Sequence, residues 1–134
     1  MFGAMLFAIS IVALSQFALY YWRAVVAGVA SQPVSACILT AAGMQGGQVT
    51  GRDFNIFSGL HSLTPDLSVR GTGLGAIRSY YRAVSVIGAV AGLRMPSVAE
   101  WVERELTLCA RYAAVQIDHR LQANLQLAAS LRSC

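Results

Sequence analysis

Between Phe2 and Trp22 the chain reads FGAMLFAISIVALSQFALYYW, a stretch without one charged side chain. As a helix it rises about 1.5 Å per residue and covers roughly 31 Å, the thickness of a bilayer's hydrocarbon core. Its polar members are Ser10, Ser15 and Gln16. A serine hydroxyl in a helix can bond the carbonyl one turn back, and Gln16 can face a partner helix. Tyr20, Tyr21 and Trp22 close the stretch with rings that favour the headgroup level, and Arg23 follows at once. The sequence therefore predicts a transmembrane anchor helix over residues 1–30, with Ala24 to Ala30 carrying it a turn or two past the interface.

Three other readings compete. A buried core helix can be equally apolar. A cleaved signal peptide has a basic start and a shorter apolar run; Gly28-Val29-Ala30 offers a small-x-small site, but no Lys or Arg precedes Phe2. A pilin-like filament subunit also begins with an apolar helix. That pattern includes a leader ending in Gly and an early acidic residue, neither of which stands here.

The remaining 31–134 segment is long enough for one small domain. From Arg23 onward the charge is uneven. Arg23, Arg52, Arg70, Arg78, Arg82 and Arg94 face only Asp53 and Asp66, whereas Arg104, Arg111, Arg120 and Arg132 balance Glu100, Glu103, Glu105 and Asp118. A basic surplus beside a membrane span is expected to meet anionic lipid headgroups, near Arg23 first, and no nucleic-acid partner is expected. The same asymmetry places the C-terminal domain in the cytoplasm by the positive-inside rule, since the Arg residues follow the span.

Helix signals fill the rest, and no strand pattern is strong enough to keep. Pro33 ends the anchor and can open a short helix over Val34 to Met44, stopped by Gly46-Gly47. Thr50 with Asp53 forms a capping box for a second short helix that runs to about Ser62, with Phe54, Phe57 and Leu60 on one face. Asp66 to Gly73 reads as a loop, with Thr72 as cap of the next helix. There, Leu74, Ile77, Tyr81, Val84, Ile87 and Ala91 step by three and four, and the uncharged half Ala83 to Leu93 reads as buried core. Gly88 and Gly92 are spaced for close backbone approach. Ser97 with Glu100 makes a second capping box, opening a helix with no internal Pro or Gly through Arg132. Glu100 and Arg104 form an exposed i,i+4 pair on it.

Val102, Leu106, Cys109, Ala113, Ile117, Leu121, Leu125 and Ala128 run as one stripe along this last helix, widened at first by Trp101, Leu108, Tyr112 and Val115. The fold class is all-α: a single-span helix, then about four helices, two short and two long. An alternative lays one or two of the shorter apolar helices in the membrane interface. A helix of this length exceeds the roughly 35 Å diameter of a 100-residue domain, so part of its stripe is expected to meet another protein chain or a second copy along Ser97 to Arg132.

Signals for chemistry are sparse. Gly71-Thr72-Gly73-Leu74-Gly75 lacks the strand and third glycine of a dinucleotide fingerprint and the Gly-Lys-Ser/Thr of a phosphate loop. Cys37, Cys109 and Cys134 are odd in number and unpatterned, which suits a reducing compartment and gives no metal spacing. Tyr81 is expected in the core, with Tyr80 and Arg82 facing headgroups or solvent. No catalytic residue, metal ligand or cofactor is assigned. The expected role is a membrane-anchored interaction, scaffold or accessory subunit; the alternative is a small membrane-associated enzyme or regulator using His61 with Asp53 and Asp66.

Overall fold

A computed structural model describes residues 2–44, 48–65, 73–91 and 95–133. Five helices and no strand occur among these residues: α1 Phe2–Ala30, α2 Ala36–Ala41, α3 Phe54–Leu63, α4 Leu74–Ala91 and α5 Pro96–Arg132, with a 3₁₀ turn at Gly51–Asp53 leading into α3. The all-α architecture of a long apolar first helix and a helical domain ending in a long helix is the one the periodicity predicts.

The domain is built around α5, which every other helix touches. Arg23, Gln32 and Ser35 meet Glu105, His119 and Asp118 in turn, so α1 and α5 run parallel. Helix α4 returns antiparallel to both: Tyr80 reaches Glu105, and farther along α4 Gly88 lies against Val102. Helix α3 follows α5 in parallel, from Gly51 beside Leu106 to Pro65 beside Asn124.

Phe54, Phe57, Ile77, Val84, Cys109, Ala110, Ala113, Ala114 and Val115 are buried almost completely. The small side chains of Ala110, Ala113 and Ala114 let neighbouring helices approach α5. Each buried phenylalanine contributes about 2–3 kcal/mol of burial free energy. Phe54 also stacks on Tyr81, ring centroids 4.1 Å apart. Tyr81 Oη donates to the Gly51 carbonyl at 3.1 Å, tying α4 to the turn before α3.

Local chemistry explains most helix ends. The Asp53 carboxylate accepts from the Thr50 N–H at 2.8 Å, the bond the capping box predicts, and also from the Thr50 hydroxyl at 2.6 Å. Elsewhere the ends differ from expectation. Helix α2 is shorter than Val34 to Met44, because Asp118 binds both the N–H and the hydroxyl of Ser35 and holds it extended. It stops at Gly43, whose φ of 76° lets the Met44 N–H reach the Leu39 carbonyl at 2.9 Å. The expected stop at Gly46-Gly47, the loop from Asp66 with its Thr72 cap, and Gly92 lie outside the described residues. At α5 the Ser97 capping box does not form: Met95 is the cap residue, and Pro96 occupies the first helical position with its φ preset.

Burial corrects two further readings. The uncharged half of α4 is not a buried core helix: Val86, Ile87 and Val90 are 62%, 44% and 74% exposed. Among the described residues of that half, Val84 is buried and Gly88 lies against Val102 of α5. Nor is α1 a core helix of this domain. None of its most apolar 18-residue window is buried, and the first buried residue is Val26. The Ser10 and Ser15 hydroxyls donate to the Leu6 and Ile11 carbonyls, so both serines of the exposed segment are satisfied within the helix.

Two glycines sit where no side chain fits. A Cβ at Gly51 would stand 2.5 Å from Leu106 Cβ and 3.2 Å from its carbonyl carbon, both fixed by the α5 backbone. At Gly88 it would stand 2.7 Å from Val102 Cγ1, at the end of a short side chain. Gly51→Ala is therefore expected to destabilise the domain by about 1–3 kcal/mol, with no repair from Leu106→Ala, which leaves Cβ in place. Gly88→Ala is expected to be substantially rescued by Val102→Ala. Thermal unfolding of the four variants in detergent checks both outcomes.

Candidate functional site

Charged side chains seldom enter a core unless they are paired. Helix α5 carries two buried carboxylates, Glu105 and Asp118, and each is spent on holding another helix. Glu105 is 2% exposed and lies within the face made by Val102 and Cys109. Its Oε1 accepts from the Arg23 guanidinium on α1 and its Oε2 from the Tyr80 hydroxyl on α4, the latter at 2.8 Å. Three helices thus meet at one carboxylate. Asp118, 5% exposed, accepts from the Ser35 hydroxyl at 2.8 Å and its N–H at 3.2 Å, fixing the entry to α2.

The Glu105 junction shapes the groups around it. Burial, then the hydrogen bond to Glu105, pushes the Tyr80 phenol up to about 12. Burial, then the nearby Glu105 charge, pushes the Cys109 thiol up to about 12. A thiol so held stays protonated at neutral pH and is a poor nucleophile. Burial also raises Tyr112. The Arg23 side chain remains about half exposed, so one edge of its guanidinium is on Glu105 while the rest reaches solvent.

Beside this junction an open groove of about 630 Å³ runs between α1 and α5. Gln16, Leu19 and Tyr20 form one wall, and Trp101, Leu108 and Tyr80 the other. Its lining is predominantly apolar, with the Arg23 side chain at its edge, and no nucleophile–base pair faces it.

Other sequence features separate in space. Asp53 begins α3 with its carboxylate on Thr50, while His61 stands in the last turn, eight residues or about 12 Å farther along. The pair named for a small enzyme is not brought together, and Asp66 lies outside the described residues. Asp118 and His119 fan apart: the first turns inward to Ser35, the second meets Gln32 at 3.0 Å on the surface. Arg78 donates to Ser58, linking α4 to α3. Tyr80, expected outside, is half buried on Glu105, whereas Arg82 is exposed as expected. Among the described residues, no three His, Cys, Asp or Glu side chains converge to hold a metal ion.

What the geometry supplies among the described residues is a junction of three helices at one carboxylate. Comparison with protein-family models, curated proteins and solved structures finds no match.

The junction has an asymmetric mutational signature. Arg23→Ala leaves a buried carboxylate with only a phenol for company and is expected to cost about 2 kcal/mol. Glu105→Met leaves a half-exposed arginine that solvent satisfies, and is expected to cost less. The Tyr80 contribution is intact below its ordinary value of 10 and is lost as pH rises through about 12. Cys109 adds to the same alkaline loss from its ordinary 9 upward. An unfolding midpoint followed against pH is expected to fall over that window, and to fall less in Tyr80→Phe.

Proposed function

We propose that this protein is a single-pass membrane adaptor that does no chemistry of its own: α1 anchors it in a bilayer, and the far end of α5 holds another protein chain. The observation that carries the reading is that the long helices α1 and α5 both outrun the domain at opposite ends, each with an apolar surface its own chain leaves uncovered.

At the first end, α1 from Phe2 to Tyr21 is exposed throughout, including Phe2, Leu6, Phe7, Leu14 and Phe17 at 65–87%. A helix of this length and apolarity has its backbone satisfied internally and its side chains matched to hydrocarbon. The domain side of α1, from Trp22 onward, packs on α5, so the anchor is a rigid continuation of the domain. Arg23 directly after the span, and the Arg surplus beyond it, favour a cytoplasmic C-terminal domain. The exposed half of the Arg23 guanidinium remains available to anionic headgroups while Glu105 holds the other.

At the second end, α5 leaves the core near Leu121. Leu125, Leu127 and Leu131 are 61%, 50% and 70% exposed. With Leu121 and Ala128 they cover an arc of about half the helix circumference, wider than the stripe of a solvent-facing helix. Because α5 runs parallel to α1, this arc points away from the bilayer, where a partner chain can lay a helix along it.

Residues 125–133 are all exposed, so a truncation after Asn124 takes no buried side chain of that stretch from the core. The truncated protein is expected to keep its membrane association and unfolding temperature but to lose its co-purifying partner or its self-association after mild detergent extraction. Full retention of those associations contradicts the adaptor reading. Reporter fusions at the C-terminus test the orientation; alkaline phosphatase activity there, with an inactive cytoplasmic reporter, contradicts it.

A further inference from the structure

We infer that α1 pairs with α1 of a second copy of this chain inside the bilayer, the two helices meeting along the face that carries Gln16, with the two Gln16 amides bonded to each other. The inference rests on the reading of α1 as the anchor.

Gln16 is the group that the anchor leaves unsettled. It lies seven residues, about 10 Å, from Arg23 toward the Phe2 end, inside the span. The two serines of the span bond back to their own helix, but no hydrogen bond joins the Gln16 side chain to a described residue. In hydrocarbon a primary amide without partners is costly, and no water is there to supply them. A second amide is a complete answer, since each offers an N–H and a carbonyl. Two copies inserted the same way round in one bilayer carry Gln16 at one depth. A two-fold axis along the membrane normal then sets the amides face to face, and the contact is the same patch on both chains.

The face around Gln16 suits a parallel helix. Leu6, Ile9, Ala13, Gln16, Tyr20 and Arg23 recur by three and four, the repeat along which two helices wind, and all are exposed. An apolar helix offers several such seams; the amide selects this one. The same face forms the α1 wall of the groove of about 630 Å³, so at the domain end the incoming helix finds a cleft between α1 and Trp101 of α5. Charge does not oppose the pairing. Arg23 is the one charged side chain of the seam, and its own Glu105 neutralises it, so two copies come together without a bare cation at the joint. A lone polar residue in an apolar seam also fixes register, because slipping one turn leaves both amides bare.

Full-length variants reconstituted in phosphatidylcholine vesicles test this by disulfide formation under brief oxidation, with the wild-type chain reporting what its native cysteines contribute. Ala13→Cys lies on the seam and Ala18→Cys on the face opposite Gln16, both at exposed alanines. Ala13→Cys is expected to give a crosslinked dimer above the wild-type level, and Ala18→Cys none above it. Adding Gln16→Leu to Ala13→Cys is expected to raise the protein-to-lipid ratio needed for half-crosslinking about tenfold, the effect of one hydrogen-bonded amide pair. Gln16→Asn, a shorter amide, is expected to keep most of the crosslinking. Flotation of the vesicles separates the two readings. Chains that float but stay monomeric, crosslink equally from both faces, or are indifferent to Gln16→Leu overturn the inference and leave the anchor standing. Chains that do not float with the vesicles overturn both.

Discussion

The Glu105 carboxylate governs how the parts of this protein are set against one another. A carboxylate taken out of water requires compensation of several kcal/mol, and here it comes from two helices distant in sequence. Arg23 supplies the opposite charge from α1, and Tyr80 a hydroxyl from α4. Because both oxygens are engaged, neither helix can slide one turn along α5 without stranding the charge. Asp118 repeats the device at the next level up, fixing Ser35 and through it the entry to α2.

That register turns a helical bundle into an oriented one. The parallel course of α1 and α5 puts the apolar half of α1 and the bare tail of α5 at opposite poles. The antiparallel course of α4 brings its uncharged end to the same pole as the apolar half of α1. A domain joined to α1 by a loose tether would gain nothing from either arrangement. Docking through Arg23 and the packed face from Trp22 to Ala30 makes the direction of α5 a consequence of the direction of α1.

Much of this architecture was legible in the sequence, and the exceptions are instructive. The apolar run to Trp22, the Thr50–Asp53 cap, the Phe54–Phe57 face and the unbroken α5 follow from local rules that depend on neighbours one turn away. What local rules do not carry is which face meets which helix. The uncharged end of α4 has the composition of a core helix, yet of its described residues Val84 and Gly88 meet α5 while Val86, Ile87 and Val90 stay exposed. Tyr80 was assigned to the outside because its partner is 25 residues away. The buried role of Glu105 did leave a trace: with Val102 and Cys109 it falls at i, i+3 and i+7, inside the apolar stripe, where a carboxylate requires partners. Asp118, four residues after buried Ala114, leaves the same trace.

The central claim is that α1 is at once lipid-embedded and rigidly docked, so that one structure spans both environments. Hydrogen exchange of the full-length protein in lipid nanodiscs tests it most directly, because a helical amide exchanges slowly only where opening is costly. The account predicts one continuous protected block over α1, from the lipid-facing segment through Ala30, matched by protection of α5 between Val102 and Ile117, with fast exchange from Leu125 to Arg132. Protection confined to Phe2 to Tyr21, with rapid exchange from Trp22 to Ala30, would show a flexible tether between anchor and domain and contradict the account.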